Sequence, residues 1–216
     1  VFDVSAITDG ELYVNHLGTP GTSGTSSTTL KFPRGVYFEN KASPRLFVAD
    51  TKNHRILSYD LTVLTDGEAS ANVLCQVDAN SALTATTQSG CNQPNAVWGD
   101  STAGAYLYTT DTSNNRVLKF DVTAITDGEN AVSVLGQPDF VTATATTSQT
   151  GLSAPHGLYV YDDDTLYVAD STNNRVMIFD VTAITDGENA VDGLGHLDGD
   201  GEMDFTLGSA SNFEIY

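Results

Sequence analysis

Carboxylates set at short intervals are the first groups in this chain that could do chemistry. The run LDGDGEMD alternates Asp198, Asp200, Glu202 and Asp204 with smaller or apolar residues, which lets several acids converge on one hard cation. Ca2+ takes about six to eight oxygen ligands and tolerates irregular loops, so Ca2+ is the metal expected there. A second acidic set is the tetrapeptide TDGE, which occurs four times and places Asp9, Asp66, Asp127 and Asp186 two residues before Glu11, Glu68, Glu129 and Glu188. Like charges at that density repel, so the functional expectation is a rim that holds divalent cations or meets another subunit. The plain expectation beside it is a turn, with Asp leading into a glycine at positive φ.

The acids stand in a chain of 216 residues with 9 Lys and Arg against 28 Asp and Glu, a formal net charge of −19. Such a surface repels nucleic acid and gains nothing from an anionic membrane. No apolar run approaches the ~18 residues that a spanning helix needs, so no membrane insertion is expected. The sequence opens on Val1 without Met or a signal peptide and reads as processed or partial.

The elements that must position these acids follow from a longer repeat. VFDVSAITDGE, SYDLTVLTDGE, KFDVTAITDGE and IFDVTAITDGE place an aromatic residue at Phe2, Tyr59, Phe120 and Phe179, at spacings of 57, 61 and 59 residues. That period is too long for a helix pair and suits one small sheet per unit. Within a unit, four β-branched and aromatic runs alternate with Gly, Asn, Asp and Ser clusters, the pattern of a four-stranded antiparallel meander. The first strand appears as GVYFE, NAVWGD and GLYVY, and the second as RLFVAD, YLYTTD and LYVAD. The third is RILSYD, RVLKFD and RVMIFD, and the fourth is NVLCQ, VSVLGQ and the weaker VDGLG. Short sheets of this kind hide both faces by packing radially.

The second-to-third strand segments LFVADTKNHRILSYD, LYTTDTSNNRVLKFD and LYVADSTNNRVMIFD resemble NHL repeats, and the preceding PRGV, PNAV and PHGL fit the start of that family's first strand. The resemblance runs from Pro33 to Gly195 and implies an all-β propeller whose first strand lines a central channel. It implies no single activity, because the family includes interaction modules, RNA binders and a few enzymes. The acidic tail run also resembles the start of an EF-hand-type loop, although Ser209 stands where a twelfth-position glutamate belongs.

The remaining residues refine the expectation. Asp50 with Arg55, Asp111 with Arg116 and Asp170 with Arg175 are read as structural turn ties. Arg34, Asn95 and His156 share one position at the channel mouth, where a propeller enzyme or carbohydrate binder would place its ligand contacts. They are three different residue types, and His156 has no companion of its kind, so catalysis is the weaker reading. Cys75 and Cys91 replace Gly136 and Leu152 in one unit only, at the two ends of one loop, so a disulfide and an oxidising compartment are expected. The polar loops TTQSGCNQ and FVTATATTSQTGLSA are expected to be exposed.

Before Pro33 only a third and a fourth strand are found, and after Gly195 the segments MDFTL and NFEIY read as a hairpin. Together they would complete one sheet, giving units at 1–18 plus 203–216, 33–77, 94–137 and 155–195. Closure within one chain makes a four-bladed ring, closure between chains makes an open assembly, and a fragment of a longer propeller is the third arrangement. The expectation is an extracellular scaffold that assembles with itself, with Ca2+ at acidic loops.

Overall fold

A computed structural model describes residues 15–100, 105–195 and 203–206. It contains three four-stranded antiparallel sheets in chain order, each a simple meander. The first holds β1 (Pro33–Glu39), β2 (Arg45–Asp50), β3 (Arg55–Asp60) and β4 (Asn72–Leu74). The second holds β5 (Pro94–Gly99), β6 (Tyr106–Asp111), β7 (Arg116–Asp121) and β8 (Ser133–Leu135). The third holds β9 (Pro155–Tyr161), β10 (Thr165–Asp170), β11 (Arg175–Asp180) and β12 (Asp192–Leu194). Each strand expected between Pro33 and Gly195 is present, including the weak VDGLG strand, and the architecture is that of propeller blades, whereas VFDV and NFEIY lie outside the described residues.

The sheets associate through their first strands, β1 on β5 and β5 on β9. Gly35 shows how close the approach is: a Cβ there would lie 2.6 Å from the Asn95 carbonyl oxygen and 2.8 Å from Ala96 Cα. Aromatic rings fill the seam at one register, with Tyr37 5.6 Å from Trp98 and Trp98 4.9 Å from Tyr159 between centroids. Below them lie apolar clusters that each join two blades. Leu74 and Ile56 of the first sheet pack with Leu118 and Phe120 of the second, and Leu135 and Val117 of the second pack with Leu166 and Phe179 of the third. Full burial of each such side chain stabilises by about 1.5–3 kcal/mol, so the blades hold one another.

Each second strand turns into the third through a short 3-10 turn that ends on a left-handed residue, His54, Asn115 or Asn174. Asn tolerates that region because its short polar side chain bonds locally. The run Asp162–Asp164 joins β9 to β10, with φ of 48° at Asp162 and 62° at Asp163, as a tight hairpin turn demands.

Candidate functional site

Among the described residues the repeated aspartates make contacts from one unit to the one before it. Asp127 Oδ1 accepts the Val73 N–H of β4 at 2.9 Å, and the adjacent Gly128 N–H donates to the Val73 carbonyl at 3.2 Å. Asp186 and Gly187 clip Val134 of β8 in the same way, at 3.0 and 3.1 Å. Asp66 and Gly67 clip His16, both at 3.1 Å. For Val73 and Val134 the pair satisfies the outward-facing N–H and C=O of one residue on the preceding sheet's fourth strand. Gly is required twice over: φ is 72° at Gly128 and 69° at Gly187, and a Cβ on Gly187 would fall 2.7 Å from Pro138 Cα.

The glutamates close the same turn. Glu68, Glu129 and Glu188 accept the N–H of Thr65, Thr126 and Thr185 at 2.8, 3.0 and 2.9 Å, a capping-box-like return contact. A third set of acids, Asp60, Asp121 and Asp180, accepts the N–H of Thr62, Thr123 and Thr182; bonds from the threonine hydroxyl and N–H, the hydroxyl foremost at Asp121 and Asp180 and the N–H at Asp60, hold the three carboxyls below the ordinary Asp range. For the described units, the turn expectation therefore stands, enlarged by an inter-blade role. Asp9 and Glu11 lie outside the described residues.

Arginine is the second organising group. Arg55, Arg116 and Arg175 are buried and pair through Nε with Asp50, Asp111 and Asp170 at 2.7, 2.8 and 2.8 Å. Each guanidinium then reaches backbone carbonyls of the two long loops flanking its own sheet. Arg116 donates to Thr87 and Gly90 before β5 and to Phe140 after β8. Arg175 donates to Thr147, Ser148 and Gly151 before β9 and to Phe205 after β12. Arg55 reaches Thr25, Ser26, Thr29 and Ala79. A planar fork with five donors can serve a carboxylate and several carbonyls at once, which Lys cannot do. Burial pushes the Asp111 carboxyl up, and Arg116 and the Asn92 N–H oppose that rise. The turn-tie expectation holds, but its reach across two loops was not foreseen.

Those loops therefore turn backbone carbonyls inward and bury their ends, while Thr87, Val141, Thr144 and Ser148 stay exposed as expected. Leu152 and Cys91 are fully buried. Gln76 and Gln137 brace the loops after β4 and β8 through matching bonds to His54 and Leu83, and to Asn115 and Thr144. Cys75 and Cys91 form the expected disulfide, with a Cα separation of 5.1 Å. The next loop closes at the same place without sulfur, because a Cβ on Gly136 would meet Leu152 Cδ1 at 2.5 Å. Gly18 and Leu30 repeat that contact at 3.4 Å in the first loop.

Of the tail acids, only Asp204 lies among the described residues. Asp198, Asp200 and Glu202 lie outside the described residues. Asp204 Oδ1 accepts the Thr206 N–H at 2.8 Å and its hydroxyl at 2.6 Å. Asp139 accepts the N–H groups of Val141 and Thr142 in the same way, and Asp78 that of Asn80. The Phe205 carbonyl sits on Arg175 as that of Phe140 sits on Arg116. Residues 203–206 thus occupy the loop register of Pro138–Val141 instead of beginning a hairpin strand, and Asp204 serves a turn. Among the described residues no three His, Cys, Asp or Glu side chains cluster as a metal site.

The channel-mouth trio keeps equivalent positions at the starts of β1, β5 and β9, with Arg34 and His156 exposed and Asn95 half-buried. His156 Nδ1 lies 2.9 Å from the Ala154 carbonyl. A cleft of about 220 Å³ occurs instead at the far end of these strands, between Tyr37, Glu39, Lys41, Trp98 and Asp100. Burial raises the Asp100 carboxyl, and Glu39 is held low by Arg45 and Lys41 although its own burial acts the other way.

A family model for the NHL repeat matches residues 152–179. No curated protein matches the chain. Among solved structures, hydrazine synthase from Kuenenia stuttgartiensis is similar at 17% identity over 80% of this chain and 36% of that one, with a TM-score of 0.48. Streptogramin B lyase is similar at 14% identity over 74% and 40%, with a TM-score of 0.43. A polycomb repressive complex 2 chain is similar at 8% identity over 71% and 26%, with a TM-score of 0.48. The chain thus spans between 26% and 40% of the length of these structures. Residues 30–59 and 91–120 share the buried ion pair, 3-10 turn and inward loop of 152–179, so the chain carries an NHL repeat and two structural equivalents of it.

Proposed function

We propose that this chain is an extracellular interaction scaffold, not a catalyst, and that it assembles with copies of itself through the open edge of the third blade. One observation carries the reading. Leu74 and Leu135 end β4 and β8 and are each 1% exposed beneath the following blade, whereas their equivalent in β12, Leu194, is 56% exposed. The third blade therefore presents the surface that, in the other two, receives a neighbour. The Cys75–Cys91 disulfide supports an oxidising compartment. Ca2+ belongs to the same proposal, held by Asp198, Asp200, Glu202 and Asp204.

Copies carrying −19 each repel at low ionic strength, so added salt strengthens a contact made by apolar surface and backbone. Light scattering at rising salt, with Ca2+ or with chelator, tests the reading. A mass above 22.9 kDa that returns toward the monomer on Leu194→Asp supports it. A monomer under all of these conditions overturns it, and a mass indifferent to chelator removes Ca2+ from it.

A further inference from the structure

We propose that the cationic end of the first blade docks end-on against the acidic strand ends of the third blade in a second copy, a contact that goes beyond the uncovered third-blade edge and does not rest on it. The chain has 9 Lys and Arg, and most are occupied within their own blades. Arg55, Arg116 and Arg175 are buried with their aspartates, Lys41 and Arg45 hold Glu39, and Lys119 lies 3.9 Å from the centroid of the Tyr106 ring. Lys31, Arg34 and Lys52 remain, exposed and in no ion pair among the described residues. They gather where β1 begins and β2 turns into β3. The Lys52 N–H donates to the Lys31 carbonyl at 3.1 Å, and burial, followed by Lys52 and Lys31, lowers the His54 imidazole. Lys52 Nζ also bonds Gln93 Oε1 at 3.0 Å, a neutral amide that leaves its charge intact. The other blades place neutral residues in the matching backbone contact, Ser113 on Asn92 and Thr172 on Ser153.

Strand direction puts the acids at the other end. Asp60, Asp121 and Asp180 close β3, β7 and β11, opposite Arg45, Tyr106 and Thr165. The third blade adds Asp162–Asp164 in the turn from β9 into β10, tied beside Asp180 by the Val181 N–H on the Asp164 carbonyl at 2.7 Å. Asp162, Asp164 and Asp180 are exposed. At the cationic end, by contrast, Asp50, Asp111 and Asp170 are buried with arginine. The exposed Asp78 and Asp139 there follow the fourth strands, at the opposite edge of each sheet from β1 and β5. The start of β1 and the strand ends of the third blade thus carry opposite charge, and two copies complement each other end to end. A net charge of −19 opposes their approach, but at about 0.15 M salt the Debye length is about 8 Å, so surfaces in contact feel their local charges. The contact is heterologous and extends into an open chain unless its rotation closes.

Sedimentation of the full chain carrying Leu194→Asp, which removes the blade-edge contact, tests the docking. This chain should associate at about 0.15 M salt and fall to monomer at about 1 M, where the Debye length is about 3 Å. Lys31→Glu with Lys52→Glu should weaken that association about tenfold or more, and so should Asp164→Lys with Asp180→Lys, since each turns attraction into repulsion. Mixing the two double variants should restore it, because each then meets the charge it lacks. A Leu194→Asp chain that stays monomeric at the lower salt while the parent assembles overturns this inference and leaves the edge reading standing. Association indifferent to both charge reversals, or a mixture that stays apart, also overturns it. A parent that is itself monomeric overturns both readings, and its binding of dextran sulfate through Lys31 and Lys52 would assign the patch to a polyanion.

Discussion

The loop from Cys75 to Gln93 and the loop from Gly136 to Ala154 follow one path by different chemistry. Both are held by a buried arginine, a bracing glutamine and an asparagine, Asn114 or Asn173, on the carbonyl of Ala85 or Thr146. They differ only where their ends meet. One end contact is a disulfide, and the other is a leucine lying over a glycine that has no Cβ to obstruct it. Cys75 even keeps the left-handed backbone of the glycine it replaces, with φ 71° against 84° at Gly136. A left-handed non-glycine residue costs roughly 1–2 kcal/mol, which the covalent closure offsets. The position therefore demands closure of the loop, and either a bond or a packed side chain provides it.

The two loops can be set against each other by mutation. Arg116→Met and Arg175→Met each leave a buried aspartate uncompensated and should cost about 3–5 kcal/mol in urea unfolding. Limited proteolysis should then separate them, with the Arg175 variant cut within residues 143–151 and the Arg116 variant resisting at 85–91 until reduced. Equal cutting in oxidised protein would show that the disulfide does not hold its loop independently. Leu152→Ala should cost about 2–5 kcal/mol by thermal or urea melting, because the void lies between two blades.

Cys75→Ala with Cys91→Ala should lose about 3 kcal/mol, the entropy of the closed loop. Cys75→Gly with Cys91→Leu should recover most of that loss and make stability indifferent to reductant. No recovery would mean that the two closures are not interchangeable. Asp127→Ala, which removes one clip beside that loop, should cost about 1 kcal/mol in the same assay.

The smallest expected effect is a pH dependence at the first blade. Arg45 and Lys41 hold Glu39 below its ordinary value of 4.5 despite the opposing effect of burial. Its contribution is therefore present above about pH 4.5 and fades as pH falls through the lowered value. Glu39→Gln should flatten this acid limb of the stability curve and leave the two loops unaffected.

Most of the fold was legible because strand alternation and turn residues act locally. RVLKFD, its Asp-Asn turn and its TDGE phrase each announce a strand or a turn without help from elsewhere. The cysteine pair was legible for a different reason: two substitutions in one unit, at equivalent ends of one loop, point to each other. The same comparison contained the Gly136–Leu152 contact, read in reverse. The clip escaped notice because Asp–Gly is an ordinary turn signal, and its partner lies 50 to 54 residues upstream. The reach of Arg116 escaped for the same cause, since backbone carbonyls carry no mark in a sequence. MDFTL was misread as a strand because Met, Phe and Leu alternate there, whereas Asp204 and Arg175 hold its first residues as a turn.

The sequence by itself determined the repeat, the four-stranded units, the disulfide and the strongly acidic surface, since each follows from residue type and local order. Only the tertiary structure decided that the acids join blade to blade, that carbonyls of the polar loops point onto arginine, and that Leu194 is left uncovered. Those outcomes depend on which backbone groups are brought opposite one another across tens of residues, and that pairing arises only when the sheets pack.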